Sequence, residues 1–227
     1  MRVLAPGGVA LVNGKKTVKP VPGDTDEWPQ YLHDPGNNAV AHDKKVGPPK
    51  HLQWRAEPRW SRHHDHMSSV SACVSANGRV FTIIDEGSVS SILLPSKWKL
   101  IARDAYNGLR LWDRDIPTWY TRAFGLKSGP STLPRRLATD GDYVYAMLGS
   151  DDQVSILDAA TGKTVRELET DEHPREILLV ENLVLIVTRS KPIGDTGAFL
   201  KEQGKSAIYA FNKKTGKRLW KVETPII

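Results

Sequence analysis

Cysteine is almost absent from this chain, since Cys73 is the single one among 227 residues. One cysteine excludes an intrachain disulfide and any metal site that needs several thiolate ligands. Cys73 falls within the run Ser71–Ser75, which we interpret below as an inner β-strand. Because cysteine is among the residue types most often found inside proteins, we expect Cys73 to be a buried, unreactive thiol.

Long apolar runs and helical patterns are also missing. The longest apolar run is far short of the roughly 20 residues that a membrane-spanning helix needs, so we expect no transmembrane segment. Residues 1–12 are mildly apolar, but Pro6-Gly7-Gly8 interrupts them and they lack the features of a signal peptide. No long segment keeps the 3.6-residue period of an amphipathic helix, which favours a chain built from strands.

Several functional classes lack their signatures here. The chain has no Gly-x-Ser-x-Gly elbow and no phosphate-binding Gly-x-x-x-x-Gly-Lys-Ser/Thr loop. Lysine and arginine number 32 against 26 acidic residues, a net charge of +6. The basic residues occur as scattered pairs and form no single basic block, so we expect no nucleic-acid partner.

A phrase that occurs three times is the strongest positive signal. It appears as Asp104-Ala-Tyr-Asn-Gly108-Leu-Arg-Leu-Trp112, as Asp158-Ala-Ala-Thr-Gly162-Lys-Thr-Val165, and as Asn212-Lys-Lys-Thr-Gly216-Lys-Arg-Leu-Trp220. In each copy, glycine supplies the positive φ of a tight turn and the Asx side chain can bond to the backbone two residues on. Each phrase therefore predicts a β-hairpin.

Each predicted hairpin follows another one, which gives four short strands per repeat. In the first repeat the predicted strands are Ser71–Ser75, Val80–Ile84, Leu100–Asp104 and Leu109–Trp112. Four-stranded antiparallel sheets repeated along a chain are typical of β-propeller blades. We therefore predict an all-β fold: a partial β-propeller of about three blades, over residues 68–112, 135–168 and 175–222.

The segment before the first blade has a different character. Residues 15–67 are rich in proline, glycine, histidine and charge, and they contain Trp28, Tyr31, Trp54 and Trp60. We interpret this segment as extended and pinned by its tryptophans. Three blades over residues 68–227 cannot close a ring of four to eight blades. We expect either a fragment whose propeller is completed by further blades, which we favour, or self-association through open sheet edges.

The chain resembles bacterial pyrroloquinoline-quinone-like (PQQ-like) β-propeller proteins of the BamB type. The resemblance rests on the repeated Asp-Ala-x-Thr-Gly-Lys-x-x-Trp phrase and on four motifs near the start of the chain: Trp28-Pro29-Gln30-Tyr31, Asn37-Asn38-Ala39-Val40, Gly47-Pro48-Pro49 and Leu52-Gln53-Trp54. It implies placement in the cell envelope.

This resemblance also implies roles for particular residues. It implies that Trp112 and Trp220 each pack on the glycine turn of the next blade. Val165 replaces the tryptophan in the second repeat, which puts that contact in doubt. The segment Leu52–Arg55 would supply the outer strand of the last blade.

A second resemblance concerns the start of the chain. The stretch from Arg2 to Val12 is similar to the late strand of class I S-adenosylmethionine-dependent methyltransferases, in which a Leu-x-Pro-Gly-Gly turn precedes a strand. It implies that residues 1–14 are the tail of an upstream methyltransferase domain. The alternative is a plain β-hairpin.

Few residues of the sequence form a pattern that indicates catalysis or cofactor binding. Quinoprotein dehydrogenases, which share the propeller fold, need a calcium-binding carboxylate set and commonly a vicinal cysteine pair, so we expect no PQQ here. We interpret Asp85-Glu86 and Asp151-Asp152 as solvated strand ends. The sequence identifies no catalytic residue and no resident cofactor.

The histidines offer one candidate metal site. In the run Arg62-His63-His64-Asp65-His66, His64 and His66 would share one face of an extended strand and could bind zinc. A third ligand would have to come from His33, His42 or His51. Calcium is the less suitable cation. The alternatives are a polar rim on the central face of the propeller and an exposed linker.

Partner binding is the remaining function that the sequence supports. The best contact candidates are Trp119, Tyr120 and Phe124, together with the insertion Arg189–Lys205, because binding residues favour loops on rigid scaffolds. The alternative for both is local packing over the core. We expect a non-catalytic module that binds a protein or the remaining blades of its propeller. The alternative is the propeller part of a fused enzyme, either a methyltransferase or a metal- or quinone-dependent oxidoreductase.

Overall fold

The computed structural model describes residues 4–45, 47–58, 62, 69–91, 93–119, 132–192 and 205–224. Within these ranges the secondary structure is almost entirely β, and the one helical element is a 3-10 turn at Pro134–Arg136. The strands are β1 (Val9–Val12), β2 (Lys15–Val18), β3 (Val70–Ala76), β4 (Arg79–Asp85), β5 (Trp98–Asp104), β6 (Arg110–Ile116), β7 (Leu137–Thr139), β8 (Tyr143–Met147), β9 (Val154–Asp158), β10 (Thr164–Leu168), β11 (His173–Val180), β12 (Leu183–Arg189), β13 (Ser206–Asn212) and β14 (Arg218–Thr224).

Twelve of these strands form three four-stranded antiparallel sheets. Sheet 1 has the order β3-β4-β5-β6, sheet 2 the order β7-β8-β9-β10 and sheet 3 the order β11-β12-β13-β14. Each sheet is a simple meander, because every strand pairs with the next one along the chain. Strands β1 and β2 form a separate hairpin. The prediction of an all-β partial propeller with three four-stranded blades is confirmed.

Sheets 1 and 2 share a dry core. It is built from alternate residues of sheet 1, such as Val74 and Phe81, and of sheet 2, such as Leu137 and Val144, all of which are 0–1% exposed. Alternation places Cys73, between Ala72 and Val74, on the opposite face of β3, where it is exposed. The prediction of a buried Cys73 is wrong, because it judged the strand as a whole and not its two faces.

Sheet 2 also packs against sheet 3 through its other face. Tyr145 and Ile156 of sheet 2 meet Val184, Ile186 and Tyr209 of sheet 3 in a second cluster. Four of the five residues in both β8 and β9 are therefore buried, as expected for a blade between two neighbours.

An extended segment, Trp28–Tyr31, crosses the first strands of all three sheets. Trp28 forms an antiparallel bridge with Ser75 of sheet 1, and Gln30 forms one with Ala138 of sheet 2. The Gln30 side chain, in a residue only 2% exposed, accepts a hydrogen bond of 2.8 Å from the backbone N–H of Leu179 in sheet 3. This part of the segment 15–67 is extended as predicted, and it ties the three blades together through their first strands.

Candidate functional site

The three repeated turns have the predicted local chemistry. Oδ1 of Asp104 accepts hydrogen bonds from the backbone N–H groups of the two residues at positions 106 and 107, at 2.8 and 3.0 Å. Oδ1 of Asp158 and Oδ1 of Asn212 accept equivalent bonds. The hydroxyl and backbone N–H of Thr161 lower the pKa of Asp158 below its usual value. Gly108, Gly162 and Gly216 have φ of +75°, +70° and +70°, in the left-handed region that favours glycine.

The indole of Trp112, from sheet 1, lies directly on the second turn. A Cβ built on Gly162 would be 2.6 Å from Cδ2 of this indole, which is too close for any side chain. Nε1 of Trp112 donates a 3.0 Å hydrogen bond to the carbonyl of Ala159 in the same turn. One side chain therefore provides both packing and a hydrogen bond between neighbouring blades.

Trp54 makes the same contact on the first turn. A Cβ on Gly108 would lie 2.5 Å from Cε3 of Trp54, and Nε1 of Trp54 donates a 2.8 Å bond to the carbonyl of Ala105. Residues 52–56 form no strand. The tryptophan nevertheless occupies on sheet 1 the position that a preceding blade would fill.

The third turn is contacted by Arg166. Its Cδ would be 2.7 Å from a Cβ on Gly216, and its Nη1 donates a 2.8 Å bond to the carbonyl of Lys214. Arg166 is four residues after its turn glycine, as Trp112 and Trp220 are after theirs, whereas Val165 is 47% exposed. The interpretation that Val165 replaces the tryptophan is wrong by one position.

We predict that Arg166→Trp raises the free energy of unfolding by about 1 kcal/mol, because an indole buries more apolar area than a guanidinium and keeps an N–H donor. The shift in the urea midpoint at constant slope measures this effect. A lower midpoint than the wild type would contradict the equivalence of the two positions.

Trp220 is the fourth side chain in the series formed by Trp54, Trp112 and Arg166. It lies on the outer strand of sheet 3 and is 44% exposed. No glycine turn among the described residues lies against it. Strand register places other apolar side chains on the same face of the sheet; Ala210, which pairs with Trp220, is buried and the others are half-buried or exposed. We call this surface the open face; it comprises Leu178, Leu185, Val187, Ile208, Trp220 and Val222.

A polar cluster lies beside the crossing segment. Nε2 of His33 is 2.7 Å from Oδ2 of Asp26, and Nδ1 of His42 is 3.7 Å from the same oxygen. The backbone N–H of His42 donates to Asp26 and is the main reason that the pKa of this carboxyl is lowered to about 2. Burial opposes the charged form of His33, but its hydrogen bonds to Asp26 and Asp34 outweigh burial and raise its pKa. The arrangement offers two imidazoles and one carboxylate to a metal.

The comparisons with known proteins identify the repeat. Residues 96–225, more than half of the chain, match the family described as outer membrane protein assembly factor BamB. The chain belongs to this family. The resemblance to PQQ-like propellers of the BamB type is thereby confirmed. None of the curated proteins matches.

Solved structures similar to this BamB-family chain include two quinohemoprotein alcohol dehydrogenases. The enzyme from Comamonas testosteroni has a TM-score of 0.51 and 16% identity over 88% of this chain and 28% of its own. ADHIIG from Pseudomonas putida HK5 has a TM-score of 0.52 and 17% identity, over 88% of this chain and 27% of its own. At these identities the likeness shows the fold alone, and the chain spans little more than a quarter of either enzyme.

The methyltransferase resemblance gains no support from these comparisons. The family match begins at residue 96, far beyond residues 1–14. In the structure, Val9–Val12 pairs with Lys15–Val18, the plain hairpin of the alternative interpretation. Within the described residues, no helix has the length and apolar character needed to cross a membrane.

The predicted site residues are only partly described. His63, His64 and His66 lie outside the described residues, as do Tyr120, Phe124 and residues 193–204 of the insertion. Trp119 is 4% exposed and its Nε1 donates a 3.0 Å bond to Oγ of Ser71, so it packs in the core between sheets 1 and 2. Of the two interpretations offered above, local packing over the core is therefore the one that applies to Trp119.

A buried ion pair stands where a solvated strand end was predicted. Nη1 of Arg62 is 2.7 Å from Oδ2 of Asp85, and both side chains are at most 3% exposed. The other guanidinium nitrogens bond to the carbonyls of Ser88, Ser91 and Leu94. The interpretation of Asp85 as solvated is wrong. The long sequence separation between Arg62 and Asp85 gave no local signal for their pairing.

Proposed function

We propose that this BamB-family chain is a non-catalytic propeller module that binds a partner through the open face of sheet 3. The supporting observation is the position of Trp220. Trp112, four residues after its turn glycine, and Trp54, from the segment before sheet 1, each cover a glycine turn of the sheet that follows. Trp220 has the same spacing from its turn glycine, and its indole is exposed.

The chemistry of the open face defines its partner. Trp220 and Val222 are 44% and 52% exposed, and the residues that pair with them on β13, Ala210 and Ile208, are apolar. An apolar sheet face with an unpaired indole fits another four-stranded sheet with an Asx-x-x-Thr/Asn-Gly turn. The proposed partner is therefore a further blade of this repeat, from the rest of the propeller or from another copy. The name of the matched family, an assembly factor, also supports a role in binding.

We predict that the 25.2 kDa chain self-associates as its concentration rises, because the open faces of two copies can bury their apolar side chains against each other. Size-exclusion chromatography with light scattering measures the mass. Replacing Trp220 and Val222 by serine should restore the monomer, because it removes the largest apolar contacts of the open face.

Leu11→Ser provides the matched control. Leu11 is 73% exposed on the separate β1–β2 hairpin, so this change removes exposed apolar surface without touching the open face. The control should associate like the wild type. A wild-type chain that stays monomeric at every concentration would count against the proposal, as would equal association of the double variant.

The alternative of a fused or cofactor-dependent enzyme has weaker support. It rests on the shared fold of the two alcohol dehydrogenases, and fold alone does not carry function. The open face is an observation on this chain itself, and for this reason we favour the binding module.

A further inference from the structure

We propose that Asp26, His33 and His42 bind one zinc-class divalent cation. Each residue offers one ligand atom, and the three atoms lie within 4.8 Å of one another. A tetrahedral zinc ion, with bonds of about 2.0–2.1 Å, holds neighbouring ligand atoms about 3.4 Å apart. The separations of 2.7 Å (His33 to Asp26) and 3.7 Å (His42 to Asp26) bracket that value. The third pair of ligand atoms, on His33 and His42, lies within 4.8 Å, so side-chain shifts of about 1 Å would complete the site.

The backbone holds the carboxylate in place. The backbone N–H of His42 donates to Oδ2 of Asp26 at 2.6 Å, and the N–H of Glu27 donates to Oδ1 at 2.8 Å. The N–H of Asp26 itself donates to the carboxylate of Asp43. These bonds join two stretches of chain, so the ligands at positions 26 and 42 meet through the fold of the loop.

His33 is oriented as metal-binding histidines usually are. Its second ring nitrogen, Nδ1, lies 3.2 Å from Oδ2 of Asp34, the carboxylate–histidine arrangement that fixes the tautomer and the direction of the ligand nitrogen. Trp28 packs edge-on against the imidazole, with the ring centres 5.2 Å apart. Because Trp28 is bridged to β3, the buried ligand is attached to the propeller body.

The ligand set selects the class of cation. Two imidazole nitrogens and one carboxylate suit zinc and neighbouring transition metals, whereas calcium and magnesium prefer six or more oxygens. Three protein ligands leave a fourth position free. The side chain of His42 is 73% exposed, so that position faces solvent and accepts water or a small anion.

Arg62, the described residue next to the histidine run of the sequence, is anchored away from this site. Asp26 and His33 flank Trp28–Gln30, and Trp28 bridges Ser75 near the end of β3. Arg62, just before the run, is bonded to Asp85, which pairs with residue 69 at the start of β3. The described anchors therefore lie at opposite ends of one strand.

The test is a zinc titration of the metal-free full chain by isothermal calorimetry. We expect one zinc per chain in the wild type. His42→Ala and Asp26→Asn should each weaken binding about 100-fold or more, because changing even an outer-shell partner costs 10–100-fold. His51→Ala is the matched control, an exposed histidine of the same segment outside the cluster, and should bind like the wild type. Substitution by Co²⁺ should give the intense visible bands of a four-coordinate ion.

A variant with His63, His64 and His66 changed to alanine tests whether zinc binds to that histidine run or to His33 and His42. This variant should still bind zinc. Loss of zinc in this variant, with full binding in His42→Ala, would overturn the proposal. Absence of stoichiometric zinc in the wild type would do the same. Because His42 is exposed, His42→Ala should melt like the metal-free wild type, so weaker binding would report ligand loss and not misfolding.

Discussion

Gly162→Ala should lower the free energy of unfolding by about 2–3 kcal/mol. A left-handed backbone costs a non-glycine residue about 1–2 kcal/mol. The added Cβ would also lie 2.6 Å from the indole of Trp112, so the ring must move and its bond to the carbonyl of Ala159 is lost, at about 1 kcal/mol. Urea unfolding followed by circular dichroism measures the change through the midpoint at constant slope.

Gly78→Ala is the matched control for that experiment. Gly78 has the same φ of +70°, but its nearest neighbour is the tip of the Tyr106 ring at 3.1 Å, which can tilt away. The control should lower the free energy of unfolding only by the cost of the left-handed backbone, about 1–2 kcal/mol. Equal losses in the two variants would show that the indole does not hold sheets 1 and 2 together.

Arg62→Met should destabilise the chain by about 3–5 kcal/mol, since removing one partner of a buried ion pair leaves an uncompensated charge. Arg62 and Asp85 are at most 3% exposed, and the guanidinium also satisfies three carbonyls of the loop after β4. The urea midpoint again measures the loss.

Two further variants test the cause of this loss. Arg62→Met combined with Asp85→Asn should recover at least half of it, because the buried charge is gone and the neutral amide still accepts from Gly87 and Lys97. Arg218→Met makes the same substitution in an exposed pair with Asp171 and should leave the midpoint near that of the wild type. No recovery in the double variant would mean that the arginine acts by packing alone.

The parts of the fold that depend on local chemistry could be predicted from the sequence. Gly108, Gly162 and Gly216 follow an Asx residue by four positions, and that spacing alone specifies the turn and the hairpin around it. The three blades could then be predicted, because alternating apolar residues on both sides of each turn define the faces of a sheet.

Predictions that depended on the exact position in the repeat, or on which face of a strand a residue occupies, were less accurate. Matching the repeats by their apolar residues assigns the contact of the second blade to Val165. Counting four residues from the turn glycine assigns it to Arg166, which makes the contact. Cys73 was placed inside, although its neighbours Ala72 and Val74 are the ones that face the core.

Contacts between distant residues had no signature at all. Arg62 and Asp85 are 23 residues apart and meet across a loop. Asp26 is joined to His33 and His42 through irregular chain with left-handed residues at positions 32, 33, 37 and 39, which no periodicity describes. The histidines could be named as possible ligands from the sequence, but their shared carboxylate could not.

The crossing segment also sets an order for the formation of the molecule. Gln30 reaches Leu179 across 149 residues of sequence, so the segment cannot complete its contacts until the ribosome has released the first strand of sheet 3. A closure of such high contact order is a late and slow event. The crossing segment is translated before the three sheets and is therefore among the last parts of them to find its place.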